Sequence, residues 1–346
     1  MNSELVAEVQ AWIADDPDPE TAAQLSALLA AGSEEVLKKH FSGFLQFGTA
    51  GLRGPVGPGP SCMNRAVVGR TAAGISAYMK ERGMKRVVIG RDARHGSEDF
   101  TEESAQIFAG AGFEVFVLPR PLPTPVLAFA TRELNCDIGV MVTASHNPPQ
   151  DNGYKVYIGP RADGIDYSAS QIISPTDQLI AKQISAIKSL AQVRRAKSWT
   201  VLGEEVISEY VRRTALIASN PSDLKIVYTA MHGVGTEIAQ RVFNHAGFAT
   251  LILVDEQCTP DPDFPTVAFP NPEEPGAIDL ALKKARDFGV DLVIANDPDA
   301  DRCAAAVNDP DGGWRMLRGD ELGAIFGEWL ARSHTHGSFG NSIVSS

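Results

Sequence analysis

Hydrophobic residues near the start of the chain recur at the spacing of an amphipathic helix. The first such set is Leu5, Val6, Val9 and Ile13. A second helical pattern covers residues 20–31, and residues 15–19, which are rich in Asp and Pro, separate the two patterns. The sequence therefore predicts an N-terminal helical segment over residues 1–45.

Short apolar runs then alternate with helical patterns. Runs such as VVI and IGVMV are apolar at nearly every position, which is typical of strands buried on both faces of a largely parallel sheet. The predicted strands are residues 86–90, 114–118 and 137–143. The predicted helices are residues 67–82, 98–111 and 124–134. This alternation indicates a first α/β domain over residues 46–203.

The same alternation returns after a polar stretch around residues 175–205. The predicted helices are residues 204–218, 234–246 and 277–288. The predicted strands are residues 225–229, 250–254 and 291–295. We interpret residues 204–316 as a second α/β domain, so the fold class is α/β, with N-terminal helices followed by successive mixed or parallel α/β/α domains.

One further helical pattern, over residues 319–332, follows the second predicted domain. The chain then ends in GNSIVSS, which predicts the opening of another strand. We interpret residues 317–346 as the incomplete start of a third domain.

Composition excludes several classes of protein. Of the 346 residues, 44% are hydrophobic and 21% are charged, so the chain has enough apolar side chains to form cores. A net charge of −12 argues against a general nucleic-acid binder or a binder of anionic membranes. The start of the chain shows no secretory signal, and the four cysteines form no CxxC pair. We therefore predict a cytoplasmic protein without a membrane-spanning helix.

Three common motifs are absent from the sequence. The chain has no GxxxxGK[ST], which excludes a P-loop nucleotide hydrolase, and no HExxH zinc motif. No GxGxxG follows a predicted strand and opens a helix, so a dinucleotide-binding fold is not supported.

A polar segment with a candidate nucleophile follows the predicted strand DIGVMVTA. Ser145, His146 and Asn147 lie at the carboxyl end of this strand, where open α/β sheets bind ligands. A serine held there is a plausible covalent carrier of an acyl or phosphoryl group. The alternative is an ordinary polar turn, because Ser, His, Asn and Pro are all common turn residues. The absence of a GxSxG elbow disfavours an α/β-hydrolase.

A second segment, NDPDADR, follows the apolar strand DLVIA. In a nearly extended loop, the alternating carboxylates of Asp297, Asp299 and Asp301 would share one side and could bind a hard cation. An EF-hand is excluded, since its required Gly and Glu positions hold Arg302 and Asn308. A solvated acidic turn is the alternative, but Arg302 suits an anionic ligand that bridges metal and guanidinium. Oxygen ligands favour Mg²⁺.

Other segments carry weaker signals. The glycine-rich GTAGLRG, with Arg53, could bind a phosphate, or it could be a loop without function. Lys155 is close in sequence to Ser145, although a surface lysine at the start of a strand is the more frequent case. In GRDARHG, which holds Arg91 and Arg94, we predict a structural ion pair with Asp92. For His232 in MHGVG we predict a turn histidine whose hydrogen bonds are satisfied.

Five motifs occur in an order that resembles the α-D-phosphohexomutase superfamily. They are FGTAGLRG, TASHNP followed by QDNGYKVY, MHGVG, FPNPEEPGA and NDPDADR. The resemblance runs from about Phe47 to the end of the chain, and it is greatest to the phosphoglucomutase/phosphopentomutase-like branch, which includes bacterial phosphomannomutases. It implies a phosphosugar mutase that interconverts sugar 1-phosphates and sugar 5- or 6-phosphates through a phosphoserine and a sugar bisphosphate.

The resemblance also implies roles for individual residues. The Mg²⁺ ligands would be Ser145, carried as a phosphoserine, Asp297, Asp299 and Asp301. The phosphate contacts would be Arg53 and Arg302, with Lys155 as a general acid or base. His146 and Asn147 would support the serine loop. The implied ligands are Mg²⁺, a small phosphosugar substrate and an activating sugar bisphosphate such as glucose 1,6-bisphosphate; the oligomeric state stays open.

The sequence departs from the family in one respect. Complete members have four domains, and neither the sugar-selecting loop of the third nor the phosphate-binding loop of the fourth is found in the chain. We therefore predict an N-terminal part of a mutase. The alternatives are an inactive remnant that binds Mg²⁺ and phosphate, or a slow phosphatase-like hydrolase that acts through the phosphoserine.

Overall fold

Residues 2–48, 51–160, 168–218 and 220–333 are described by a computed structural model of the chain. The structure divides into two units. The first unit contains Met1–Tyr210 and Asp261–Asp263, and the second contains Val211–Pro260 and Phe264–Ser346. Thr49, Ala50 and the predicted strand opening in GNSIVSS lie outside the described residues.

Three helices begin the first unit. They are α1 (Ser3–Asp15), α2 (Pro19–Ala30) and α3 (Glu34–His40). The side chains of Asn2 and Asp18 accept hydrogen bonds from backbone amides in the first turns of α1 and α2, which fixes where these helices begin. The third helix was not predicted, because its seven residues are too short to show a hydrophobic period. Buried Val9, Leu25 and Leu37 join the core of the first unit.

Asp15, the last residue of α1, connects this helix to the rest of the first unit through hydrogen bonds. Its carboxylate accepts hydrogen bonds from the Arg70 guanidinium at 2.7 Å, the Ser189 hydroxyl at 2.6 Å and the Leu190 amide at 2.9 Å. Burial by itself would raise the pKa of Asp15, but the hydrogen bonds from Ser189, Leu190 and Ala191 and the charge of Arg70 lower it below its ordinary value. The folded chain therefore favours the ionised form.

Replacing Asp15 by Asn should lower the free energy of unfolding by about 2 kcal/mol near neutral pH, because the hydrogen bonds lose a charged acceptor. A lowered pKa stabilises the fold above the ordinary value of 3.8, and this stabilisation is lost as pH falls through the folded-state pKa. Denaturant unfolding of both proteins at neutral pH and at acid pH checks this. Equal stability at neutral pH would contradict it.

The first unit is built around a mixed sheet. Its strands are β1 (Leu52–Pro55), β2 (Arg86–Arg91), β3 (Glu114–Val117), β4 (Ile138–Val142), β5 (Asp151–Ile158), β6 (Ser170–Gln171) and β7 (Thr200–Val201). Their order is β1-β5-β4-β2-β3-β7, with β6 beside β5. Strands β4, β2, β3 and β7 run parallel, whereas β5 is antiparallel to β4, β1 and β6.

Helices cover both faces of this sheet. They are α4 (Arg65–Glu81), α5 (Ser97–Gly110), α6 (Thr124–Glu133) and α7 (Thr176–Ser185). Val87, Ile89 and Val140 share the core that α4 and α5 complete. Gly139, on the alternate face, has no room for a Cβ because the hydroxyl of Thr131 on α6 would lie 2.2 Å from it. The period-two alternation of the strands thus gives an α/β/α sandwich.

The second unit has its own mixed sheet. The strands are β8 (Ile226–Thr229), β9 (Ile252–Leu253), β10 (Leu292–Asn296), β11 (Cys303–Asp309) and β12 (Gly313–Met316). Their order is β12-β11-β10-β8-β9, parallel from β10 to β9 and antiparallel from β10 to β12. The helices are α9 (Thr236–His245), α10 (Asp279–Phe288) and α11 (Gly319–Ser333). Helix α8 (Glu204–Ala215) spans the division between the units.

The α/β prediction is confirmed, but the expectation of largely parallel sheets is not. Residues 52–55, most of which belong to the glycine-rich segment GTAGLRG, form β1, which pairs with β5. The hairpin of β11 and β12 was also missed, since its alanines and short strands give no clear alternation. Helix α11 has no buried residue, and the side chains of its Phe326 and Trp329 are exposed. Among the described residues, no helix is long and apolar enough to cross a membrane.

Candidate active-site loops

The loop after β4 holds Ser145 in a strained and nearly buried position. Ser145 is 1% exposed and has a φ of 53°, a left-handed conformation that costs a non-glycine residue free energy. Its amide donates to the hydroxyl of Thr143 at 2.9 Å, and its Oγ lies 3.2 Å from Nδ1 of His146. The surrounding structure therefore fixes both the backbone and the hydroxyl of the candidate nucleophile.

Two further predicted residues lie next to this serine. Asn147 donates through Nδ2 to the Asp151 carboxylate at 2.8 Å, and its Oδ1 lies 3.5 Å from Nη1 of Arg53. Arg53 comes from β1, where it pairs with Gly153 of β5. The structure thus brings Arg53, Ser145, His146 and Asn147 together at one edge of the first sheet.

Glycines allow the strands at this edge to approach closely. A Cβ on Gly153 would lie 2.5 Å from the carbonyl oxygen of Thr143 and 2.7 Å from that of Leu52. A Cβ on Gly51 would lie 1.9 Å from the carbonyl oxygen of Tyr154, and Gly51 has a φ of 77°. No side chain could be accommodated at either position without moving backbone.

Lys155 is buried, whereas the sequence alone favoured a surface lysine at the start of a strand. It is 3% exposed and lies in the middle of β5, opposite Met141 of β4. A lysine is rarely buried to this extent, because its ammonium group must leave water. The strand that delivers Ser145 and the strand that holds Lys155 are therefore direct neighbours.

The predicted ion pair with Asp92 is confirmed, and its partner is Arg94; the other arginine of the segment, Arg91, pairs with Glu98 at 3.4 Å. Arg94 Nε lies 3.4 Å from Asp92 Oδ2, and the two side chains are 1% and 2% exposed. Burial raises the pKa of the Asp92 carboxyl, while the Arg94 charge and the hydrogen bonds from Thr143 and Ser97 act in the opposite direction.

The loop after β10 in the second unit brings three carboxylates together. The candidate ligand atoms of Asp297, Asp299 and Asp301 all lie within 4.8 Å of one another. The loop is a tight turn and not the nearly extended segment that was predicted. The Ala300 amide bonds to the Asp297 carbonyl at 2.9 Å, and Ala300 has a φ of 53°. The turn brings the three side chains together even though the backbone does not alternate.

This donor set fits a magnesium ion. Asp297 and Asp299 are fully buried, and like charges at such short range repel one another strongly where water is excluded. A divalent cation removes that repulsion, and an all-oxygen ligand set is the set that Mg²⁺ prefers. Arg302 follows directly and is exposed; its backbone amide donates to Asp297 Oδ1 at 3.0 Å.

Two residues that sequence reasoning missed hold the ends of this turn. Asn296 donates through Nδ2 to the carbonyl of Arg302 at 2.6 Å, which closes the loop. The hydroxyl of Tyr228 donates to Asn296 Oδ1 at 2.7 Å. Burial, followed by the charges of Cys303 and Asp297, raises the pKa of Tyr228, so this hydroxyl keeps its proton.

The MHGVG segment packs directly against the same turn. The Val234 amide donates to the carbonyl of Pro298 at 2.9 Å, and a Cβ on Gly233 would lie 2.3 Å from Pro298 Cα. His232 Nε2 lies 2.8 Å from Thr266 Oγ1, and the His232 amide donates to the Gln257 carbonyl at 3.0 Å. The prediction of a turn histidine with satisfied hydrogen bonds is confirmed, and the segment also supports the aspartate turn.

Comparison with known proteins agrees with this arrangement. Residues 45–190 match the family described as phosphoglucomutase/phosphomannomutase, alpha/beta/alpha domain I, and residues 207–313 match domain II of the same family. This chain belongs to the phosphoglucomutase/phosphomannomutase family. The first matched region contains Ser145, and the second contains the three aspartates.

Individual relatives in this family are similar over most of the chain. A "Probable phosphomannomutase" of Haemophilus influenzae is 45% identical over 290 residues, which cover 82% of this chain and 59% of that protein. A phosphopentomutase of Mus musculus is 36% identical, over 96% of this chain and 56% of its own length. The crystal structure of a phosphoglucomutase/phosphomannomutase family protein from Burkholderia thailandensis shares the fold, with a TM-score of 0.66 and 24% identity over 82% of this chain and 58% of that one.

The chain spans somewhat more than half the length of these curated relatives. The chain has the fold of domains I and II of this family. Its relatives are named as phosphosugar mutases, so the chain has the scaffold of that type of isomerase.

Proposed function

We propose that the chain is the phosphoserine-carrying and metal-binding part of a phosphosugar mutase. In this proposal Ser145 carries a phosphoryl group between the 1-position and the 5- or 6-position of a sugar phosphate. The placement of Ser145 supports the proposal most directly. It is a buried, left-handed residue at the carboxyl end of β4, and its hydroxyl lies beside the His146 ring.

The three aspartates form the proposed magnesium site. Asp297, Asp299 and Asp301 would hold the ion. When bound, Mg²⁺ would supply neutralisation of the charge on the transferring phosphoryl group. Hydrogen bonds from Asn296 and Val234 to backbone carbonyls fix the turn that carries the aspartates. The carboxylates therefore need little rearrangement to bind the ion.

The remaining site residues orient the reaction. The guanidinium of Arg53, which lies beside Asn147, would donate to a phosphate oxygen, and Arg302 is proposed as a second phosphate contact. Asn147 links Arg53 to the serine loop. Lys155, buried in the neighbouring strand, is proposed as the general acid or base for the sugar hydroxyl.

The proposed reaction has two transfers that balance. First, the bond between phosphorus and Ser145 Oγ breaks as a bond forms from phosphorus to a free hydroxyl oxygen of the sugar monophosphate, and the hydroxyl proton passes to the general base. The product is a sugar bisphosphate. After this intermediate has turned, a bond forms from Ser145 Oγ to the other phosphorus as the bond from that phosphorus to its sugar oxygen breaks, and this oxygen takes back the proton that the general base had accepted. Water must be excluded, since it would otherwise accept the phosphoryl group.

The proposal is tested by incubating the chain with glucose 1,6-bisphosphate and Mg²⁺ and measuring the mass of the peptide that contains Ser145. We expect one added phosphoryl group on Ser145, no addition without Mg²⁺, and none in Ser145→Ala. Sugar monophosphate should appear in equal amount.

Each other outcome favours a different function. A melting temperature raised by Mg²⁺ and phosphate without any labelling of Ser145 would contradict the proposal and favour a binding protein. Continued release of inorganic phosphate that requires Ser145 would favour a hydrolase.

A further inference from the structure

Arg94 makes an unusual set of contacts with the serine loop, which connects β4 to β5 and contains Ser145. Its Nη1 donates to the carbonyl oxygens of Pro148 at 2.8 Å and Asp151 at 3.0 Å. Its Nη2 donates to those of Ser145 at 2.7 Å and Asn147 at 2.6 Å. One guanidinium therefore bonds to four carbonyl groups within seven consecutive residues, and its side chain is 1% exposed.

The guanidinium is itself held in place. The Asp92 carboxylate lies 3.4 Å from Arg94 Nε, and its Oδ1 accepts from the Arg94 amide at 3.0 Å and the Ser97 hydroxyl at 2.7 Å. Ser97 Oγ in turn accepts from Asn152 Nδ2 at 3.0 Å. Asn152 is the second residue of β5, so the network joins both ends of the serine loop.

The loop needs such a partner because it cannot form regular structure. Pro148 and Pro149 have no amide hydrogen to donate, and Ser145 has left-handed backbone angles. Ser145 is buried and most of the residues that follow it in the loop are half-buried. A carbonyl group that is shielded from water loses free energy if it finds no donor. A planar guanidinium with its donors in a fixed fork can reach four acceptors at once, whereas the single nitrogen of a lysine cannot.

We infer that Arg94 is the positioning residue that sets the orientation of Ser145 for phosphoryl transfer. This inference rests on the proposed function. Arg94 acts through the backbone, since it bonds to the carbonyl of Ser145 and not to its hydroxyl. Its positive charge also lies beneath the residue that would carry the phosphate dianion, with Asp92 as the counter-charge. A shift of about 1 Å at a reacting atom is enough to lower a rate by about 100-fold.

The experiment compares Arg94→Lys with Asp92→Asn and with a matched control, Arg70→Lys. Arg70 is a half-buried arginine of the first unit, with its side chain 12% exposed, and it donates to Asp15 and to the Ile187 carbonyl, outside the serine loop. Two quantities are measured for each protein. One is hydrogen exchange of the Asn147 and Asp151 amides, which bond to the Ala144 and Pro148 carbonyls. The other is the rate of Ser145 phosphorylation by glucose 1,6-bisphosphate with Mg²⁺.

We expect Arg94→Lys to speed exchange in the loop by about tenfold or more and to lower the saturating phosphorylation rate by about 100-fold, with little change in the half-saturating bisphosphate concentration. Asp92→Asn, which keeps the hydrogen-bond acceptor, should show smaller changes in the same direction. Arg70→Lys should change neither quantity, even where it lowers the melting temperature.

The inference is overturned if loop exchange and phosphorylation in Arg94→Lys match those of the unchanged chain, or if Arg70→Lys slows phosphorylation equally. If Arg94→Lys does not fold, the same two measurements on Asp92→Asn test the inference, and unchanged loop exchange and phosphorylation in that variant would overturn it. If the unchanged chain takes no phosphoryl group, the proposed function fails. In that case unchanged loop exchange in both variants rejects the structural part of the inference as well.

Discussion

Replacing Asp299 by Asn is expected to remove most Mg²⁺ binding and, at the same time, to raise the melting temperature of the metal-free chain. Asp299 and Asp297 are fully buried and Asp301 is exposed, and the candidate ligand atoms of the three carboxylates all lie within 4.8 Å of one another. Without metal, removing one negative charge relieves repulsion, which should raise the melting temperature by about 3 °C. With metal, the loss of a charged ligand should weaken binding by about 100-fold, or roughly 2.7 kcal/mol.

The two effects together distinguish a metal site from an acidic turn. Asp287→Asn is the control, because it makes the same charge change at an exposed position of α10. Calorimetric titration with Mg²⁺ and thermal melts with and without Mg²⁺ measure both effects. Equal Mg²⁺ affinity in Asp299→Asn and Asp287→Asn would reject the proposed site.

Replacing Gly233 by Ala should disrupt the same site without changing any ligand. The added Cβ would lie 2.3 Å from Pro298 Cα and 2.4 Å from the Pro298 carbonyl oxygen, so the backbone of the aspartate turn must move. Overpacking of this kind costs about 3 kcal/mol. Because Pro298 lies between Asp297 and Asp299, we expect a fall in Mg²⁺ affinity of at least about tenfold alongside the loss of stability.

Gly312→Ala provides the matched control. Gly312 belongs to the same unit, and a Cβ there would meet nothing within 4 Å among the described residues. It should change stability by less than about 0.5 kcal/mol and leave Mg²⁺ affinity unchanged. Equal Mg²⁺ affinity in Gly233→Ala and Gly312→Ala would show that MHGVG does not support the aspartate turn.

The motifs themselves could be found in the sequence because their residue types are chemically specific. A serine after an apolar strand and three alternating aspartates after another indicated a nucleophile and a cation site. Both sets lie at the carboxyl ends of parallel strands, β4 and β10. Strand direction and residue chemistry are local properties of the chain, so both could be predicted from the sequence.

The supporting residues could not be assigned in the same way. An ion pair between Asp92 and an arginine of GRDARHG was expected, and Arg94 forms it. The four carbonyl contacts of Arg94, however, connect residues more than fifty positions away in sequence. Asn296 and Tyr228 are joined by a hydrogen bond across two strands. The sequence did not predict that Lys155 is buried, because its burial depends on β4, the strand that pairs with β5, and the residues next to Lys155 in sequence do not specify that pairing.

The sequence by itself determined the α/β class, the order of most helices and strands, and the candidate serine and aspartates, since hydrophobic period and side-chain chemistry are written along the chain. Only the tertiary structure decided that β1 and β5 run antiparallel beside the parallel strands, that Lys155 is buried, and that Arg94 lies beneath Ser145. The physical reason is that burial and hydrogen-bond partners depend on which distant segments pack together, and no local pattern specifies that packing.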